Sequence, residues 1–415
     1  MSSPRSATSR PHSASRTLRR DRWCAPATTR SAPSIPLRRR WPALLPAPER
    51  VTDTATFAAR LARARTRMQE EGVDALLLSV GPDLPYFTGY EAMPLERLTM
   101  LVVPRESDAV LVVPRLEAPR VEERPEVFCV DAWDEVDDPV ARVAALVDGA
   151  RSVAVGDHTW ARFVLAMQSA LPRAQFCAAS HVTAPLRAVK DADEIEALYA
   201  AARSVDEIAI EMRERPFAGR TEREVHRELM ERILDVGHER VNFAIVATGP
   251  NAASPHHDPA DRVIAKGDVV LCDFGGTMHG YCSDITRMFA VGEPDAEVRD
   301  AYAALRVAQE AGVQSAQVGA TYEAVDAAAR DVLVGAGFGD AFVHRTGHGI
   351  GMEAHEDPYV VAGNTTELVA GHAFSIEPGV YLPGRFGLRL EDIVVATADG
   401  PRRLNDAPRD LAIVA

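Results

Sequence analysis

Along residues 54–71 the large apolar side chains Phe57, Leu61 and Met68 recur at helical spacing, and Gly72 supplies the stop. The next pattern differs. Asp74-Ala-Leu-Leu-Leu-Ser-Val80 is a short continuous apolar run, which predicts a buried strand. Two further runs at 99–103 and 109–113, split by the polar Glu106-Ser107-Asp108, predict a hairpin. Strands are also predicted at 127–130 and 153–155, with helical stretches at 138–147 and 159–170. Residues 50–185 therefore read as one small α/β domain.

Residues 185–190 read as a linker, followed by a long helical pattern over 191–215. Thr221-Glu-Arg-Glu224 is a capping box that opens a second helix ending at Gly237. Strands follow at 242–248, 268–274 and 284–291, then helices at 296–316 and 322–334. From Val343 onward the chain reads as short strands and loops punctuated by Gly and Pro. Helices first and a strand-rich core afterwards make residues 186–415 an α+β domain. Residue identities reveal no internal repeat.

Composition narrows the function classes. No window of the 415 residues approaches the ~18–20 uninterrupted apolar positions of a membrane helix, so no membrane partner is expected. The five cysteines include no CxxC pair, which argues against a disulfide scaffold and structural zinc. Cys272 and Cys282 read as buried residues of a reducing, cytoplasmic compartment. Residues 1–50 carry a formal charge of +9, leaving −23 for the rest. So acidic a body is a poor binder of nucleic acid. Residues 1–49, rich in Ser, Arg, Pro and Ala, read as a disordered basic tail. The whole chain holds two lysines, Lys190 and Lys266.

The candidate chemistry lies after residue 240. In Val269-Val-Leu-Cys-Asp-Phe-Gly-Gly276 a carboxylate, Asp273, interrupts an apolar strand, where it needs a cation or a proton. A turn through Gly275, Gly276 and Gly280 can return Asp284 to the same place, with a metal or shared proton between the two. Equally, Asp284 can cap the turn and pair with Arg287. His348, inside Thr346-Gly-His-Gly-Ile-Gly351, is flanked by glycines that let backbone approach a ligand and free the imidazole on a loop. Phe374-Ser-Ile-Glu377-Pro-Gly379 ends a strand on a carboxylate. In Gly387-Leu-Arg-Leu-Glu391, Arg389 and Glu391 share one face of a strand. Together these supply the hard-ligand set for a divalent ion, and four carboxylates balance two such ions.

In this order and spacing, residues 185–410 resemble the catalytic domain of the pita-bread metallopeptidases. That family includes Xaa-Pro aminopeptidase, Xaa-Pro dipeptidase (prolidase), methionine aminopeptidase and the metal-free creatinase. Residues 52–185 resemble the creatinase-type N-terminal domain, mainly through Asp74-Ala-Leu-Leu-Leu and Asp83-Leu-Pro-Tyr-Phe-Thr-Gly89. The resemblance implies two divalent metals, Mn2+ first, with Co2+, Fe2+ or Zn2+ as alternatives. It implies Asp273 on one metal, Asp284 and Glu391 bridging, and His348 and Glu377 on the other. It also implies His256 and His355 as substrate-side catalytic histidines, Glu377 as a proton shuttle and Arg389 beside the bridging Glu. His257 is the alternative to His256, which is preferred because it directly follows Pro255. His279, His344 and His372 are expected to be structural or solvent-facing. The implied activity is hydrolysis of the bond preceding proline, at the N-terminus of peptides or in Xaa-Pro dipeptides, by a homodimer. An amidohydrolase of small non-peptide C–N bonds and a non-catalytic peptide-binding homologue remain the alternatives.

Overall fold

The computed structural model describes residues 52–415. The basic tail expected over 1–49 lies outside them. Asp53 caps the first helix, Thr54–Glu70, by accepting from the Thr56 N–H at 2.7 Å. The helix buries Phe57, Leu61, Ala64 and Met68, and the chain then turns at Gly72 with φ of 68°. The run after it becomes Ala75–Leu78, the interior of a six-stranded sheet. It pairs antiparallel with Met100–Pro104 and parallel with Ser152–Val155. Met100–Pro104 and Ala109–Pro114 form the expected hairpin. The continuous apolar run is explained by burial on both faces. Leu76 and Leu78 enter one core cluster with Phe57 and Met68, while Leu77 enters another with Trp133 and Met167.

The linker is a correction. Residues 185–188 lie in a helix, Ser180–Ala188, with Pro185 inside it. Proline usually ends a helix because it lacks an N–H. Here Val182, Thr183, Leu186, Arg187 and Ala188 are all buried, and tertiary packing overrides the local signal. The strand Gln175–Ala178 and the short helix Asp83–Thr88 were likewise not anticipated.

Beyond, the helices Ala192–Met212 and Glu222–Asp235 both open with capping boxes, at Asp191 and Thr221. One sheet contains Arg240–Thr248, Val269–Met278, Ile285–Val291 and Ala412–Val414, with Tyr281–Cys282 pairing off its path. A second contains Glu356–Val360, Gly347–Gly349, Ala373–Ile376, Asp392–Thr397 and Gly400–Arg403. None of the described helices is long and apolar enough to cross a membrane.

These two halves repeat one another in backbone geometry. Thr221 and Thr321 each cap a helix, with φ −87° and ψ of 156° and 154°. Gly219 donates to the Ile264 carbonyl at 2.9 Å, and Gly319 to that of Leu368 at 2.8 Å. Gly267 donates to Val291 at 2.8 Å, and Gly371 to Ala396 at 2.9 Å. Each helix thus leads into a matching antiparallel pair, Val269–Met278 with Ile285–Val291 and Ala373–Ile376 with Asp392–Thr397.

Candidate metal centre

The repeated strands deliver the acids. Asp273 sits four positions after Val269 within a strand buried throughout, and Glu377 four positions after Ala373, just past its strand. Asp284 immediately precedes Ile285–Val291, and Glu391 immediately precedes Asp392–Thr397. His348 is the middle residue of Gly347–Gly349. It lies in a strand, not on a free loop as its glycines suggested. Those glycines serve the neighbouring strands. A Cβ on Gly347 would meet the Ser375 carbonyl oxygen at 1.9 Å, and one on Gly349 that of Glu356 at 2.6 Å.

Carboxylate oxygens of Asp273, Asp284 and Glu391 lie within 4.8 Å of one another, as do ligand atoms of His348, Glu377 and Glu391. Glu391 is common to both groups. His348 Nε2 is 3.2 Å from Glu377 and 3.7 Å from Asp284. His348 Nδ1 meets the Gly349 carbonyl at 3.1 Å. A carbonyl only accepts, so Nδ1 carries a hydrogen and Nε2 is the nitrogen turned toward the carboxylates. Arg287 does not pair with Asp284; it binds Asp392 at 2.7 Å. All five sequence-predicted ligands thus converge.

The chain shares this layout with known proteins. Residues 195–398 match metallopeptidase family M24, and residues 60–189 match the creatinase/prolidase N-terminal domain. The Xaa-Pro dipeptidase of Lactobacillus helveticus is 34% identical over 368 residues, covering 84% of this chain and 96% of that protein. The crystal structure of dipeptidase PepE from Mycobacterium ulcerans is 44% identical, with a TM-score of 0.81, covering 87% of this chain and 99% of that one. Recombinant prolidase from Thermococcus sibiricus matches at 36% identity and a TM-score of 0.81, over 86% and 98% of the two chains.

The chain belongs to metallopeptidase family M24.

The electrostatics of this M24 peptidase are those of a site short of positive charge. Burial, then Glu391, Asp273 and Glu377, pushes Asp284 well above the usual carboxylate range. Burial and the neighbouring Glu377 and Asp273 do the same to Glu391. Asp273 is raised by burial against the opposing charge of Arg389. Burial would also raise Glu377, but its hydrogen bond to His348 and that ring's charge hold it down at about 2. One oxygen of Asp273 pairs with Arg389; the other, Oδ1, is buried without a partner. An orphaned carboxylate oxygen inside a ring of acids fits a divalent cation.

Arg389 departs from expectation in its partner. It grips Asp273 and reaches Glu391 only through Thr286, to whose Oγ1 it donates at 3.2 Å. Thr286 in turn donates to Glu391 at 2.7 Å. Arg389 also donates to the Tyr381 hydroxyl at 2.8 Å and the Pro255 carbonyl at 3.3 Å, so it steadies the residue before His256. His257 Nε2 is bound to the buried Glu222 at 2.8 Å, which leaves the exposed His256 free. His355 lies against His348, their ring centroids 3.9 Å apart and their planes tilted by 42°, and joins Asp284 and His348 in a third group of ligand atoms. His355 is exposed on one side, yet the partial desolvation of its ring, with the charge of His348, lowers it to about 4.

Sequence reasoning missed Thr286, Ser375 and Tyr381. Ser375 receives the His348 N–H at 3.0 Å and donates to Glu377 at 3.2 Å. His344 bonds the Tyr381 hydroxyl at 2.9 Å, which ties it to Arg389 and hence to the centre. His372 is structural, bonded to Tyr322 at 2.9 Å.

Proposed function

We propose that this peptidase holds two divalent ions, manganese in the first instance, and hydrolyses the bond preceding proline in Xaa-Pro dipeptides or at the N-terminus of peptides. Residues 50–185 would be its creatinase-like domain and 186–415 its catalytic domain. The observation that carries the reading is the convergence of Asp273, Asp284, His348, Glu377 and Glu391, four carboxylates with one buried arginine as counter-charge. Asp273 would hold one ion, His348 and Glu377 the other, and Asp284 and Glu391 both. When bound, the ions would polarise the scissile carbonyl and make hydroxide available near neutral pH.

The chain's own residues supply the rest. Glu377, held down at about 2, is ionised at neutral pH and is suited to take the nucleophile's proton and pass it to the leaving nitrogen. His355, lowered to about 4, is neutral at pH 7, so it offers an N–H to the developing oxyanion without adding charge. His256 directly follows Pro255, whose carbonyl is held by Arg389 at 3.3 Å, so it stands beside the same centre. A nitrogen within proline has no N–H, so the leaving-group side needs room for a ring and no acceptor for an amide hydrogen. The dipeptidase, prolidase and Xaa-Pro dipeptidase relatives support that substrate class. The test is proline release from Ala-Pro against hydrolysis of Ala-Ala, with the chelated enzyme restored by Mn2+. Equal rates on both dipeptides would remove the proline specificity and leave the metallopeptidase.

A further inference from the structure

Arg187 lies on Ser180–Ala188, the helix hidden under the supposed linker. Its guanidinium donates to Asp83 at 3.0 Å, to Glu353 at 2.6 Å, and to Glu356. Glu353 and Glu356 stand on either side of His355. Glu353 also meets His158 at 3.0 Å, and Glu356 receives Lys190 at 2.6 Å. The fit is close: a Cβ on Gly351 would lie 2.5 Å from Glu356 Oε1 and 3.1 Å from Lys190 Cε. Glu356 is paired with Gly349 across the strands, so the segment from Ile350 to His355 is a loop closed at its base and strapped by Arg187. A cavity of about 170 Å3 opens beside it, with His158, Arg187, Glu353 and His355 in its wall.

The group needs no ion. Asp83, Glu353 and Glu356 face Arg187, Lys190 and the partly exposed His158, so charge is nearly balanced from within. Such buried pairs rarely add net stability over an apolar replacement, and their best-attested use is to fix geometry. What this one fixes is the loop that carries His355.

We propose that Arg187 is a positioning residue for His355, and that through it the segment around Asp83 sets the geometry on the oxyanion side. The proposal rests on the peptidase reading for its kinetic readout alone. The test is a double-mutant cycle on the metal-loaded, full-length enzyme with Arg187→Met and His355→Ala, measuring kcat, KM and metal content. Arg187→Met should lower kcat by about 10–100-fold, the scale of a small misplacement, with metal content and KM little changed. In the His355→Ala background it should lower kcat no further. The same loss in both backgrounds, loss of metal, or an unchanged kcat overturns the proposal. If Arg187→Met does not fold, Glu353→Gln enters the same cycle, since it weakens one arm of the strap without stranding three carboxylates. A crystal structure of the variant separates the two readings. His355 displaced from His348 supports the strap even if no dipeptide is cut, and His355 unmoved refutes it.

Discussion

Two groups of buried and half-buried carboxylates flank His355, and they are neutralised in opposite ways. Asp83, Glu353 and Glu356 face Arg187, Lys190 and His158, so that group folds with its own counter-charges. Among the described residues, Asp273, Asp284, Glu377 and Glu391 have Arg389 alone of the arginines and lysines paired with them, plus His348. In the first group burial raises Asp83 while His158 and Arg187 hold Glu353 down; in the second His348 holds Glu377 down, but burial and the neighbouring acids drive Asp284 and Glu391 well up. Burying acids is thus no signature of a metal centre. Burying more acids than cations, around an oxygen that nothing in the protein satisfies, is one.

The largest expected effect comes from taking away the external charge. Exhaustive chelation should reduce dipeptide hydrolysis to background, with recovery on adding Mn2+. Elemental analysis should find two ions per chain before chelation, and an active metal-free preparation would erase the contrast between the groups. Next in size is Glu377→Gln, which removes a ligand charge and the proton carrier together and should nearly abolish turnover. Within the same centre His256→Ala should cost about 10²–10⁴-fold in kcat while leaving the metal content intact. Metal leaving with the histidine would make His256 a ligand.

A pH series sharpens the contrast. Asp284 and Glu391 have folded-state pKa values raised above their unfolded ones. The folded apo-protein therefore binds more protons, and its stability should fall as pH rises from about 4 through those raised values. The melting temperature of chelated enzyme should drop across that window, and the metal-loaded enzyme should not show the same drop. The strap behaves otherwise. Burial opposes it, but the bonds to His158 and Arg187 lower Glu353, whose contribution is lost as pH falls through its folded value. The Glu353 hydrogen bond raises His158, whose contribution is lost as pH rises through its own folded value. The smallest effect is His158→Gln. Its side chain is 51% exposed, so the change should cost no more than about 1 kcal/mol by denaturant titration.

What the sequence displayed was whatever local chemistry forces into view. Asp273 is conspicuous because a carboxylate in an apolar strand is out of place, and Thr221-Glu-Arg-Glu224 because a capping box is written in consecutive residues. Long-range register is not written that way. That Thr286 stands opposite Asp273, and that Arg389 spends its charge there, follows only from how the strands pair. Pro185 reads as a helix stop until the burial of Leu186 and Arg187 is known. The repeat between the halves escaped because it is one of backbone geometry. Thr221 with Thr321 and Gly219 with Gly319 recur, while Glu377 stands in the second half where the first has Asp273. That His257 is taken up elsewhere shows only through Glu222, thirty-five positions away.

The scarcity of lysine gives the molecule a practical property. Lys190 is locked against Glu356 with 1% of its side chain exposed, whereas Lys266 is exposed on the turn before Val269–Met278. In the native enzyme an amine-directed dye, cross-linker or solid support therefore has one lysine to react with besides the terminal amine. Tryptic peptide mapping of the labelled protein should find the tag at Lys266 and none at Lys190 until the strap is unfolded, which makes acylation of Lys190 a covalent record of when that part of the chain opens.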